Sequence, residues 1–313
     1  MFGFFLVLSA AIFFCFQNVI VRVLFTQQTL LGFWPIGGFV SPTFYHSLLL
    51  LLLRMAWVVP LMSLVATRLY PSTWQQLGGL GQRGQWTLLG RSLLAGFLMF
   101  SYLVLLYIAV GLIPTGIALT LFFTYPVFTA LLSWYFFGDR PTYGGTLIMG
   151  LILLGGILTL PHQNSSVAKG SGGAILAIAS GLAYAGYTVL AQSCVKKLHP
   201  VPFTWLSFTI TLLLAALSIF WGPNLKGDLP WLALWIGGLC SAVVTFLGHL
   251  LNNYGIGVIG ASRAAMIGAS NPALTCVLAG LTIAEHLTPV QISGVLLVTL
   301  SVALLSQQLR GKS

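Results

Sequence analysis

Long apolar runs cover most of this chain, and short polar segments separate them. A helix needs roughly 20 predominantly apolar residues to cross a bilayer. Ten such runs can be placed along the 313 residues, at 3–25, 43–67, 86–110, 115–137, 143–161, 172–194, 203–221, 231–253, 259–282 and 289–307. The runs are rich in Leu, Gly, Ala and Phe and lack the strict alternation of a barrel strand, so they predict helices. The expected fold class is an all-α integral membrane protein with ten transmembrane helices.

The same pattern, a proline in the middle of an apolar run and an acid after its end, occurs twice along the chain. Pro126 lies midway along the fourth run and Asp139 follows its end, while Pro272 and Glu285 hold the same places for the ninth run. Pro272 follows Pro126, and Glu285 follows Asp139, by the same 146 positions. Internal duplication in a protein with many spans is typical of secondary transporters. We therefore predict two five-helix units, residues 1–162 and 163–313.

The composition agrees with a bilayer protein and limits its chemistry. Hydrophobic residues make up 58% of the chain and charged residues 5%, with a mean hydropathy of +0.99. The four cysteines lack the spacing of a disulfide framework or a metal site, so we expect no metal and no other cofactor. No Walker A pattern occurs, which argues against direct ATP hydrolysis.

The basic residues are distributed unevenly among the predicted loops. If the N-terminus is cytoplasmic, inner loops and helix ends hold nine of the 13 Lys and Arg residues, and outer loops hold only Lys169 and Lys226. The positive-inside rule then predicts that both termini are cytoplasmic. Because each unit has five helices, the second unit would be inverted relative to the first. We expect a monomer in a bacterial-type inner (plasma) membrane, with lipids and a small-molecule substrate as partners and no nucleic acid.

Polar side chains recur at three- and four-residue intervals on the first, sixth and eighth runs, which predicts one polar face on each helix. Polar groups inside a membrane are costly unless they face partners or water. The stripes could line one aqueous cavity, or they could form hydrogen bonds between helices at about 0.6 kcal/mol each. Gln17 fits either role equally. The cavity candidates on these stripes are Asn18, Tyr184, Thr188, His249, Asn252 and Asn253.

The two mid-run prolines and one arginine add further candidates. Pro126 and Pro272 each remove a backbone hydrogen bond in mid-helix, and a helix broken at the bilayer centre can bind a ligand. Tyr125 and Asn271 precede these prolines and are therefore candidates for substrate contact. A kink needed only for packing, or for bending during transport, is the alternative. Arg54 lies near the centre of the second run, where it could hold a carboxylate or a phosphate.

The two proline-containing runs, with the acid that follows each of them, resemble the drug/metabolite transporter superfamily, specifically its EamA-like members with ten helices. The resemblance covers nearly the whole chain, and Arg54 looks like a basic residue that members often carry in the second helix. It implies export or exchange of small metabolites through a central cavity. The segments that carry it are Tyr125-Pro126 through Gly138-Asp139-Arg140 to Gly144-Gly145, and Asn271-Pro272 through Glu285-His286-Leu287-Thr288 to Gly294.

A transporter that works by alternating access is the function we expect, and not an enzyme. Tyrosines and arginines in the runs favour an amino acid or a related amphipathic solute, and the alternative is an exchanger of phosphorylated or nucleotide-linked sugars. An intramembrane enzyme would need a nucleophile–base pair, paired acids or metal ligands at helical spacing. A receptor-like scaffold would leave the duplicated prolines unexplained. The only acids, Asp139, Asp228 and Glu285, lie at predicted helix ends or in loops, which favours facilitated export or exchange over a carboxylate-driven pump.

Segment 27–42 is a long connection between the first two runs and contains Trp34-Pro35-Ile36-Gly37-Gly38. We expect it to be an interfacial or re-entrant excursion on the outer side, with a disordered loop as the alternative. Asp139 and Glu285 are the boundary acids of the two units, and we expect a structural or gating role for Glu285.

Overall fold

A computed structural model of the chain describes residues 1–30, 33–41, 43–112, 115–140, 142–158, 171–220, 229–283 and 288–310. Within these residues the protein is almost entirely helical, as the apolar runs predict. The helices are α1 (Phe2–Phe25), α2 (Phe44–Leu69), α3 (Thr73–Gly79), α4 (Trp86–Leu112), α5 (Thr115–Phe122), α6 (Tyr125–Phe137), α7 (Tyr143–Leu158), α8 (Ser171–Val195), α9 (Pro200–Phe220), α10 (Trp231–Ile259), α11 (Ala261–Gly268), α12 (Asn271–Ile283) and α13 (Pro289–Arg310).

Six of the described helices are long and apolar enough to cross a membrane, namely α1, α2, α4, α8, α9 and α10. Two shorter apolar helices, α7 and the greater part of α13, occupy the fifth and tenth predicted runs. The protein is therefore an all-α membrane protein.

The fourth and ninth predicted spans are each divided into two helices. α5 ends at Phe122 and α6 begins at Tyr125, whereas α11 ends at Gly268 and α12 begins at Asn271. Each proline lies at the second position of the later helix, where an N–H group has no helical partner in any case. Phe122, Tyr125, Ala269 and Asn271 are buried, so both breaks place helix ends inside the molecule.

Helix packing pairs elements from the two halves of the chain. α4 packs along α8 and α1 packs along α10, while α2 contacts α9 and α7 contacts α13. The first helix break lies against α8, where a Cβ atom at Gly181 would come within 2.8 Å of the Phe122 carbonyl oxygen. The second break lies against α1, where Asn271 Nδ2 donates a hydrogen bond to the Ala11 carbonyl at 3.3 Å.

The segment after α1 contains a β-hairpin. Neither sequence interpretation of 27–42, an excursion or a disordered loop, includes this element. Strands β1 (Gln27–Leu30) and β2 (Trp34–Gly37) pair antiparallel. Gly37 has φ +107 and lies against the Val23 carbonyl, which leaves no room for a side chain. The Gly38 N–H donates to the same carbonyl at 3.0 Å, so the hairpin folds back onto the end of α1.

One helix boundary and one additional short helix also differ from the sequence prediction. α10 continues past 253 to Ile259, and Gly260 at φ +84 ends it. The segment between α2 and α4 contains the short helix α3, whose Trp74 packs edge-on against Trp205 of α9 with ring centroids 5.2 Å apart. Both features depend on local backbone geometry and tertiary contact, which apolar length does not report.

Candidate functional site

A cavity of about 520 Å³, the central cavity, lies between helices of the two halves. It extends from Val7 and Ala11 of α1 to Thr26 at the end of that helix and to Gln28 of strand β1. Its main polar and aromatic lining consists of Phe14, Gln17, Asn18, Arg22, Arg54, Tyr102, Tyr107, Tyr125, Tyr184, Thr188, Thr245, His249, Asn252, Asn271 and Thr275.

The structure brings most of the predicted site residues to this cavity. Pro272 also lines it, whereas Pro126 is buried in the first turn of α6 away from the lining. Glu285 lies outside the described residues. The predicted cavity residues found in the lining are Asn18, Arg54, Tyr125, Tyr184, Thr188, His249, Asn252 and Asn271.

Asn253 is fully buried but does not belong to the cavity lining. Its Nδ2 donates to Tyr187 Oη at 3.0 Å and to Thr204 Oγ1 at 2.8 Å. The side chain thus joins α10 to α8 and α9. This geometry corresponds to the hydrogen-bonding alternative for the eighth-run stripe.

Arg54 is 5% exposed and is oriented by two neighbours. Its Nη2 donates to Tyr107 Oη at 3.3 Å. When the Gln17 amide presents its oxygen to the guanidinium, Arg54 Nη1 donates to Gln17 Oε1 at 2.7 Å, and the Gln17 nitrogen donates to Thr245 Oγ1 at 2.7 Å. Arg54 Nε is buried and has no hydrogen-bond partner among the described residues. Because a buried cation is costly without an opposite charge, an anionic group in the cavity would stabilise it.

His249 and Asn252 form a second polar group on α10. Three aromatic rings enclose the His249 imidazole edge-on, with centroids at 4.9 Å for Phe14, 5.6 Å for Phe208 and 6.2 Å for Tyr187. Within the described part of the chain, His249 Nδ1 and Asn252 Nδ2 are buried without a partner. Buried polar atoms normally form hydrogen bonds, so these two atoms mark a place for a ligand or water.

Aromatic side chains form another part of the cavity lining, beside the first helix break. The Tyr184 ring lies 4.7 Å from Tyr125 and 4.9 Å from Tyr102, both edge-on, and Phe122 lies 5.4 Å from Tyr125. These rings offer apolar contact area to the non-polar part of a solute.

The second helix break is fastened to α1 by amide contacts. Asn18 Nδ2 donates to Asn271 Oδ1 at 2.9 Å and to Thr275 Oγ1 at 3.1 Å. Asn18 and Asn271 therefore hold α1 and α12 together and also line the cavity.

A separate cavity of about 530 Å³, the basal pocket, lies where α6, α8 and α10 end. This end is opposite to the hairpin, because the start of α1 at Gly3 contacts Ile259 at the end of α10. Between the two cavities, Tyr125 Oη donates to the Ala265 carbonyl at 3.4 Å. The polar side chains lining the basal pocket are Asp139, Arg140, Thr142, Thr146, Gln192, Lys196, Ser262 and Arg263.

Several lining residues were not selected from the sequence. Thr245 belongs to the eighth-run stripe and Gln17 fitted either role from the sequence, but neither was among the selected cavity candidates. Tyr102 and Tyr107 lie within a largely apolar helix, and only the packing of α4 beside α2 and α8 brings them to the site.

Comparison with known proteins identifies a family and a similar fold. Residues 171–307 match the EamA-like transporter family. An uncharacterized transporter of Synechocystis sp. is 57% identical over 312 residues, which cover 98% of this chain and 93% of that protein. One protein of known crystal structure is similar to this chain with a TM-score of 0.72 at 14% identity, and the match covers 98% of each chain. At that identity the likeness concerns the fold alone.

The helical fold and these relatives define an integral membrane protein of the transporter class. The chain belongs to the EamA-like transporter family, and the predicted resemblance is confirmed.

Proposed function

We propose that the protein exports or exchanges a small metabolite by alternating access through the central cavity. The favoured substrate is an amino acid or a related amphipathic solute. The main support is the set of buried atoms Arg54 Nε, His249 Nδ1 and Asn252 Nδ2, which lack partners among the described residues and belong to residues lining one cavity. The cavity volume of about 520 Å³ lies within the range of about 300–1,000 Å³ usual for small-molecule sites.

The chemistry of the lining supports an amphipathic substrate with an anionic end. Arg54 would bind the carboxylate, because its guanidinium is the buried cation of the site. The rings of Tyr102, Tyr125 and Tyr184 would contact the apolar part. His249 and Asn252 would supply polar contacts to a further group such as an amine or hydroxyl.

An exchanger of phosphorylated or nucleotide-linked sugars is the second candidate. Arg22 and Arg54 both line the cavity, and no Asp or Glu occurs among its described lining residues. Two cations in one lining suit a doubly charged anion.

We further propose ten spans in two inverted five-helix units, 1–162 and 163–313, in which α5–α6 and α11–α12 each form one broken span. The reciprocal packing of α1 on α10 and α4 on α8 supports this. So do the contacts at the breaks, because Ala11 and Gly181 differ by 170 positions, as do Asn18 and Thr188. On this proposal the protein is a monomer in an inner (plasma) membrane with both termini cytoplasmic.

In the transport cycle we propose, the central cavity faces the hairpin side in this conformation. The contact of Tyr125 with Ala265, and the 3.5 Å contact between the hydroxyls of Thr129 and Thr188, would separate it from the basal pocket. Bending at Pro126 and Pro272 would open that separation. Asp139, which lines the basal pocket, would act at the boundary of the first unit.

Counter-flow in proteoliposomes tests the proposal. Purified protein is reconstituted with an unlabelled solute inside, and uptake of labelled solute is followed for amino acids, aromatic acids and sugar phosphates. We expect saturable exchange of at least one anionic or zwitterionic solute. Failure of every solute to exchange under several gradients would remove the proposal, and exchange restricted to sugar phosphates would favour the second candidate.

A further inference from the structure

The basal pocket has the features of an anion site of its own. We propose that it binds a phosphate-bearing ligand, either a soluble phosphorylated solute or the headgroup of an anionic phospholipid, and that this site is distinct from the central cavity.

The charge of the basal pocket supports an anionic ligand. Arg140, Lys196 and Arg263 line it together with one acid, Asp139, so its formal charge is three minus one, or +2. Lys196 Nζ lies 5.0 Å from the centre of the Phe137 ring, which helps to hold it at the pocket. A phosphate monoester carries about −1.5 to −2 at neutral pH and has several acceptor oxygens, so it matches this charge.

A buried amide provides a second and independent indication of a ligand. Gln192 is only 5% exposed and lines the basal pocket. Its Oε1 accepts a hydrogen bond from the Ala261 N–H at 2.7 Å, which fixes the side chain. Among the described residues, its Nε2 is not one of the fully buried side-chain atoms without a partner, so it is accessible and its N–H groups can donate to an acceptor in the pocket.

Helix α11 lines both the basal pocket and the central cavity, with different residues at each. Ser262 and Arg263 at its start line the basal pocket, while Ala264 and Ala265 line the central cavity. The N-cap residue Gly260 offers no side-chain acceptor, so the N–H groups of the first turn other than that of Ala261, which donates to Gln192, add to the positive character of the pocket. A ligand bound here would contact the first turn of a helix whose other end reaches the central cavity.

The test uses the full chain in nanodiscs, with no transport gradient, so its result does not depend on the proposed transport. In discs of phosphatidylcholine, inorganic phosphate is titrated against wild type, the double variant Lys196→Gln/Arg263→Gln, and Arg68→Gln as a control on the basic end of α2. We expect saturable binding whose Kd rises at least about tenfold in the double variant, because two charged donors are lost. The control should bind as wild type does.

A second arm distinguishes the two sources of phosphate. Thermal unfolding is compared in phosphatidylcholine discs with and without phosphatidylglycerol. Stabilisation by phosphatidylglycerol that the double variant loses, without saturable binding of inorganic phosphate, would assign the pocket to a lipid headgroup. The single variants Lys196→Gln and Arg140→Gln repeat both arms if the double variant does not fold. Equal responses of the variants and wild type, or no response to either probe, would overturn the proposal.

Discussion

Replacement of Arg54 tests the proposed substrate contact most sharply. Arg54→Ala removes the buried cation of the central cavity, together with its hydrogen bonds to Tyr107 and Gln17. A charge-assisted hydrogen bond contributes about 1.5–3 kcal/mol, so the loss of one such bond to an anionic substrate should weaken binding about ten- to 150-fold. Transport at substrate concentrations below saturation should fall by the same factor.

The assay is counter-flow with matched amounts of reconstituted protein. Arg54→Met preserves much of the side-chain volume and should lose transport as Arg54→Ala does. Arg68→Ala, at the exposed end of the same helix, is the control and should transport normally. The reasoning is refuted if Arg54→Met transports as wild type does. A loss of folded protein in both Arg54 variants would assign Arg54 to packing.

Three further predictions concern other parts of the fold. Gly181→Ala places a methyl group against the backbone of the first helix break and should destabilise the protein by about 1–3 kcal/mol in thermal unfolding, whereas Gly172→Ala, with open space around it, should not. Asn253→Leu leaves the buried Tyr187 hydroxyl without its partner, although Thr204 still donates to the Pro200 carbonyl, and should cost about 1–3 kcal/mol, while Ser41→Ala should leave stability and transport near wild type. Burial lowers the pKa of His199 below its ordinary 6.5, so unfolded protein gains protons first and stability should decrease as pH falls below about 6.5. His199→Gln should flatten that part of the pH–stability curve, and an unchanged curve would contradict the assignment.

The helices were predictable because a span must be both long and apolar, and this constraint is local in the sequence. The end of α10 was not, since it depends on the positive φ of Gly260 and the chain contains 35 glycines. The hairpin could not be predicted either, because it depends on the packing of Gly37 against the Val23 carbonyl, which is a tertiary contact.

The site was partly predictable because polar residues are rare inside membranes. The stripes identified His249 and Asn252, but they also included Asn253, which is rotated by about 100° on a helix and faces other partners. The hydrogen bond between Tyr107 and Arg54 could not be predicted, because it depends on the approach of α4 to α2. Helical phase identifies a polar face, whereas tertiary packing decides which members of that face reach the cavity.

Accessibility of the central cavity from the two sides of the membrane tests the account most directly. Thr188→Cys, in a background with the four native cysteines replaced by alanine, would be treated in oriented proteoliposomes with a membrane-impermeant thiol reagent from either side. We predict modification from both sides, with rates that a transported solute changes. Modification from one side alone under every condition, or from neither, would contradict alternating access through this cavity.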